Sequence, residues 1–138
     1  MNSIEAVIDD IRNDLEFFND ELQKYDYIID LGKKLEVLDE NKKNDKNLVD
    51  GCTSKVWLDI SLEDEKLVLR GTSDAIIVKG LVYIIIQIFS GRSLAELKDF
   101  NMDILSKLDL SEIITPSRQS GVAGMIKKIM EFSKNGNI

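Results

Sequence analysis

Cys52 is the only cysteine in the chain, and there is no histidine to act as its base. A thiol is the most intrinsically nucleophilic of the side chains even when only a few per cent is ionised. Without histidine there can be no Ser-His-Asp triad, no Cys-His dyad and no His-ligated metal. One cysteine cannot close an intramolecular disulfide, form a zinc knuckle or hold an iron–sulfur cluster by itself. What a single thiol can do with little machinery is exchange sulfur with another thiol, since an attacking thiolate and a good sulfur leaving group suffice. Gly51 precedes it and lets the backbone approach a partner closely or take a positive φ. Of the nearby charges, Asp50 disfavours the thiolate and Lys55 favours it. On these features alone, Cys52 reads either as a nucleophile on a loop or as a small buried hydrophobe.

Other polar residues carry weaker signals. Asp74, like Ser73 beside it, suits a helix N-cap. Arg118 follows Pro116-Ser117 and reads as a surface or core-edge arginine, and Trp57 reads as core. The carboxylates form no EF-hand pattern, and Gly51, Gly71, Gly80 and Gly91 form no phosphate cradle, so no metal or cofactor is expected.

The elements that must position these residues follow from periodicity. Ile4, Val7, Ile8, Ile11, Leu15, Phe18 and Leu22 recur at spacings of three and four, which predicts a helix over 3–22. A second helix is predicted over 24–35. Residues 39–50 are polar and read as an exposed loop leading into Gly51-Cys52. Val56, Leu58, Ile60 and Leu62 then alternate with Trp57, Asp59 and Ser61, which predicts a strand. A polar turn over 63–66 returns the chain through a strand at 67–70, with a third strand conceivable near Lys55 or Thr72. Residues 75–89 are apolar on nearly all sides and predict a central, covered helix. Ser93 and Glu96 form a capping box, with short helices over 94–99 and 102–108. Pro116 marks a turn before a last helix over 120–134, which Asn135-Gly136 ends. The fold class is therefore α+β, a small antiparallel sheet packed against several helices. The expected organisation is a single domain over 1–138, with N-terminal helices in 1–35, the cysteine loop and hairpin in 39–72 and C-terminal helices in 75–134.

The chain has 138 residues, enough to bury about two-thirds of its unfolded surface without disulfide or metal. Net charge is 18 − 25 = −7, and residues 1–50 alone carry 7 − 14 = −7, so the second part is neutral. This argues against nucleic acid as a partner. The acidic part reads as a solvated surface or as a docking face for a basic partner. Residues 1–5 lack a basic region followed by an apolar core, and 75–89 is too short to span a bilayer. The expectation is a soluble, cytoplasmic protein with a reduced thiol and no membrane contact.

The run Val49-Asp50-Gly51-Cys52-Thr53-Ser54-Lys55-Val56-Trp57 resembles the V-x-G-C-x-S-x-V-W signature of the SufE/CsdE family of cysteine desulfurase sulfur acceptors. Ser73-Asp74-Ala75-Ile76-Ile77-Val78-Lys79-Gly80-Leu81 is similar to the family's S-D-A-x-I-V-K-G-L block. Tyr27-Ile28-Ile29-Asp30-Leu31-Gly32-Lys33, Ser90-Gly91 with Leu94, and Thr115-Pro116-Ser117-Arg118-Gln119-Ser120-Gly121 resemble three further blocks in the same order. Departures are the missing proline in Leu35-Glu36-Val37-Leu38, Ser120 for asparagine and Val122 for leucine.

The resemblance implies a SufE/IscU-like fold. It also implies that Cys52 takes persulfide sulfur from a SufS/CsdA-type cysteine desulfurase, stimulates that enzyme and passes sulfur to an Fe–S scaffold of the SufBCD type. Pyridoxal phosphate would then belong to the desulfurase and not to this chain, which would have no turnover of its own. Gly51, Ser54, Asp74 and Arg118 would hold the cysteine loop or meet the partner. The alternatives are a non-catalytic adaptor of the same fold, or an IscU-like scaffold, for which one thiolate is too few. A carrier of this kind benefits from a thiol shielded at rest, with the 39–50 loop as the element expected to move.

Overall fold

The computed structural model describes residues 2–49 and 54–135; Gly51 and Cys52, and the Gly136 stop, lie outside them. Helix α1 (Ile4–Glu16) starts where the Ser3 side chain accepts from the Ala6 amide at 3.1 Å. It buries Ile4, Ile8 and Leu15. The apolar spacing runs on to Leu22, but the helix does not. Asp20 accepts from the Gln23 amide at 2.7 Å and starts a new helix, α2 (Glu21–Gly32), leaving Leu22 70% exposed. An aspartate that caps its own helix outcompetes a spacing pattern, because spacing does not register a change of axis.

Strands β1 (Val56–Glu63) and β2 (Lys66–Ser73) form an antiparallel hairpin. The turn is tighter than the polar tetrad suggested. Asp64 and Glu65 alone make it, with φ of 53° and 65°, so both strands extend further. Two successive positive φ values match the twist of a two-residue hairpin. Val56, Leu58, Leu67 and Leu69 face the core. Trp57 does not join that core: the alternation places it on the opposite face, where it is half-buried. In place of a third strand near Lys55 or Thr72, Leu48 forms an isolated bridge to Trp57.

Helix α3 (Ile76–Phe89) is the centre of the molecule, packed by α1, α2, the hairpin and the last helix. Nine of its residues are buried, and its solvent side is narrowed to Ile76 and Gln87, edged by half-buried Lys79, Tyr83 and Ile86. Two shorter pieces follow: α4 (Leu94–Lys98), and a 3-10 turn (Met102–Lys107) where a second short helix was expected. The closing helix α5 (Pro116–Asn135) begins earlier than predicted. Pro116 is its first residue and not part of a preceding turn, since the missing N–H costs nothing there. No helix among the described residues is long and apolar enough to cross a membrane.

The crossing of α2 over α3 depends on two glycines. A Cβ on Gly80 would sit 2.0 Å from the Ile28 carbonyl oxygen, and one on Gly32 would sit 2.7 Å from the Gly80 nitrogen. Gly80→Ala gains about 1 kcal/mol of helix propensity. We expect it nevertheless to lower stability by a net 1–3 kcal/mol or so, read as a reduced urea midpoint at unchanged slope, because backbone cannot yield as a side-chain tip can.

Tyr27 on α2 donates its hydroxyl to Asp14 on α1 at 2.9 Å. Burial first, and then the Asp14 carboxylate, push its pKa from 10.0 up to about 12. A raised pKa means that this contribution to stability is complete below pH 10 and lost as pH rises from 10 through 12. In an ultraviolet phenolate titration Tyr27 should ionise near 12, and Asp14→Asn should bring it back toward 10.

Candidate functional site

The segment that carries Cys52 is flanked by two residues that bond to each other. The Val49 amide donates to the Val56 carbonyl at 2.8 Å, and the Leu58 amide donates to the Asn47 carbonyl at 2.7 Å. The chain thus enters and leaves the cysteine segment through one backbone pairing, with both Val49 and Val56 buried. The 39–49 stretch is largely exposed over 39–46, as its polarity predicted, but it carries local structure of its own. It contains a 3-10 turn (Glu40–Lys42), and Asn47 is buried. The Asn47 backbone N–H donates to the Asn44 side-chain oxygen at 3.0 Å, and its Nδ2 donates to the Lys42 carbonyl at 2.9 Å. Lys128 on α5 donates to the Lys46 carbonyl at 2.8 Å and ties the same stretch to the last helix. Composition reports polarity, but a polar side chain that satisfies the local backbone can be as fixed as an apolar one. An asparagine whose role is local backbone pairing leaves no periodic signal, so sequence reasoning passed over Asn47.

On the downstream side the clamp is Ser73 and Asp74. Neither is a helix cap of the usual kind, because the N-cap position of α3 is Ala75. Asp74 instead turns back and accepts from the Lys55 amide at 3.1 Å, while its own amide donates to the Lys55 carbonyl at 3.2 Å. Ser73 donates to that carbonyl at 2.8 Å and accepts from the Ala75 amide at 3.2 Å. Both polar groups of the Lys55 backbone are thereby paired to the junction of β2 and α3. Ser54, the first described residue after the cysteine, is half-buried beside this clamp in sequence.

Arg118 is placed elsewhere. It lies in the first turn of α5, half-buried, and its Nη1 donates to the Tyr25 hydroxyl of α2 at 3.2 Å. No hydrogen bond or ion pair joins it to Asp74 among the described residues. Two grooves border the flanks of the cysteine segment. One of ≈ 380 Å³ runs between Leu48-Val49 and the small residues Ser120, Ala123 and Gly124 of α5, with Lys127 on its rim. The other, ≈ 490 Å³, runs from Thr72 and Ile76 to Val37. Val37 is 94% exposed and Ile76 63%, an apolar rim next to the Asp74 clamp. No group of three or more metal-ligating side chains occurs among the described residues.

Comparison with known proteins places the chain among relatives. A family model described as "SufE: Fe-S metabolism associated domain" matches residues 9–133. A SufE-like protein of Rhizobium meliloti is 37% identical over 134 residues, covering 94% of this chain and 93% of that one. A second, from Rhizobium etli, is 37% identical over 134 residues, covering 94% and 90%. The solution structure of a hypothetical protein from Thermus thermophilus superposes with a TM-score of 0.69 at 16% identity, over 91% of this chain and 94% of that one, a likeness of fold.

The clamp has a direct readout. Asp74→Ala removes the acceptor for the Lys55 amide, and Asp74→Asn keeps an oxygen there. We expect the alanine variant to speed hydrogen exchange at Lys55 by about tenfold or more, the equivalent of roughly 1.4 kcal/mol, with the asparagine variant close to the native rate.

Proposed function

The chain belongs to the SufE family, the Fe–S metabolism associated domain, and from that premise we propose that it is a sulfur acceptor whose working atom is Cys52 Sγ. The carrying observation is that the chain's one thiol stands in a short segment whose two ends are bonded to each other and to the β2–α3 junction. Such anchoring supports a loop presented to a partner at a set place on a rigid scaffold.

In the proposed step the Cys52 thiolate attacks the outer sulfur of a cysteine persulfide on a SufS/CsdA-type desulfurase. The new bond joins Cys52 Sγ to that sulfur, the old sulfur–sulfur bond breaks, and the desulfurase cysteine leaves as thiolate. Clearing the desulfurase in this way stimulates it. The same exchange, run toward an acceptor thiol on a scaffold of the SufBCD type, delivers the sulfur. The step runs through the small thiolate fraction of Cys52, so it requires no histidine base, and the leaving thiolate takes no proton in the exchange.

Gly51 and Ser54 flank the cysteine and meet the partner beside it, while Asp74, with Ser73, holds the segment's downstream end. Arg118 fixes the start of α5 against α2 beside the groove of Leu48 and Val49. The exposed Val37 and Ile76 support a partner surface next to the clamp. The chain works without a cofactor of its own, pyridoxal phosphate being the desulfurase's, and in the cytoplasm, where a lone thiol stays reduced.

The test is intact mass after incubation with the desulfurase and cysteine. Native chain should gain one sulfur, about 32 Da, on Cys52. Cys52→Ser should keep its thermal unfolding curve, gain no mass and no longer accelerate sulfide release. Covalent acceptance by Cys52→Ser, or none by the native chain, would remove the assignment.

A further inference from the structure

The turn between α1 and α2 presents apolar groups that the sulfur reading does not use. Phe17 is 81% exposed and Leu22 70% exposed, on either side of that turn. Single exposed apolar residues are ordinary, but this one is built. The Phe17 ring meets Phe18 edge-on at 5.6 Å, Phe18 lies against Tyr27 at 5.3 Å, and Tyr27 is held by its hydrogen bond to Asp14. Phe17 is thus the outermost of three rings stacked on a fixed base, which reduces the ordering cost of a contact made there.

The charge around it is one-sided. Residues 9–26 hold seven acids (Asp9, Asp10, Asp14, Glu16, Asp20, Glu21, Asp26) and two bases (Arg12, Lys24), a net of −5 out of the chain's −7. The bases offset few of them. Arg12 lies at 3.7 Å from both Asp9 and Glu16, and Lys107 reaches Asp9 at 3.9 Å, at half-exposed positions where such pairs are weak; Asp10, Glu21 and Asp26 have no ion pair among the described residues. Phosphate-rich partners, whether nucleic acid or anionic membrane, are repelled by this field.

We propose that the α1–α2 turn is a docking surface for a cationic amphipathic segment of a partner protein, which lays its apolar side on Phe17 and Leu22 and its lysines or arginines on the surrounding carboxylates. Aromatic anchors with a complementary charged rim are the usual anatomy of a protein contact, and the rim adds speed of encounter and specificity. The inference stands apart from the sulfur-acceptor reading, since neither Cys52 nor its clamp takes part.

The probe is a short synthetic helical peptide with leucines on one side and lysines on the other, compared with one in which serine replaces leucine. Binding is followed by backbone amide shifts of the full labelled chain. The leucine peptide should move signals within 14–26 and bind about tenfold or more tighter than the serine peptide. Phe17→Ser with Leu22→Ser, both at exposed positions, should remove that advantage while leaving the serine peptide's weak binding unchanged. Glu16→Lys with Glu21→Lys should weaken both peptides. The proposal is overturned if the two peptides bind within about twofold of each other. It is equally overturned if shifts fall mainly outside the turn, or if the 14–26 signals move with protein concentration alone, which would make the occupant a second copy.

Discussion

The approach of α2 to α3 at Gly32 and Gly80 is the contact on which the rest of the arrangement depends. Atoms a side chain would need are already occupied by the Ile28 carbonyl and the Gly80 amide region, so the two backbones touch with no layer between them. That closeness lets α3 sink into the centre, with the hairpin covering one of its sides and α1 and α5 the others. An apolar helix of this kind is stable only when most of its sides are covered, and one bulky residue at the crossing would lift α2 and uncover buried neighbours. Gly71 repeats the principle on the sheet side, where a Cβ would meet the Trp57 carbonyl at 2.8 Å and Val82 at 3.0 Å.

The candidate site inherits its placement from that crossing. The start of α3 is fixed by the packing of Lys79 and Gly80 against α2, and Asp74 and Ser73 lie a few residues upstream. Their hydrogen bonds to Lys55 carry this fixed point across to the end of the cysteine segment. Each bond contributes only about 1 kcal/mol net, but together with the Val49–Val56 pairing they restrict both ends of the segment to one place. Elsewhere a buried arginine performs a similar service. Arg92, 1% exposed, donates Nε to the Ile88 carbonyl at 2.9 Å and Nη1 to Glu96 at 3.2 Å and to the Asn2 carbonyl, joining the end of α3 to the start of the chain.

Charge is segregated in the same architecture. The acidic excess lies in the part of the chain that forms α1, α2 and the stretch after them, while the hairpin, α3 and α5 come from a part with equal numbers of acids and bases. The borders of the cysteine segment therefore have a milder field, with Lys127 and Lys128 of α5 nearby.

Much of this protein was legible in residue order alone. Period-two alternation from Val56 to Leu62 specifies a half-covered strand, and the unbroken apolar run specifies a buried helix, because solvent exposure is periodic along an element. The one cysteine and the absence of histidine limit the chemistry, and the motif around Cys52 resembles a single family, since those are properties of composition and local order. What only the tertiary structure decided are the contacts between segments distant in sequence. Asp74 looks like a cap until its carboxylate is seen on the Lys55 amide, nineteen positions away. Asn47 looks like loop filler until it is seen buried, and Trp57 looks like core until the hairpin turns it outward. Helix α2 begins where Asp20 caps it, and the last begins at Pro116, where a missing N–H costs nothing; hydrophobic spacing encodes neither. Where the answer depends on which polar group finds which partner, residue type supplies the donors and acceptors, and the fold alone pairs them.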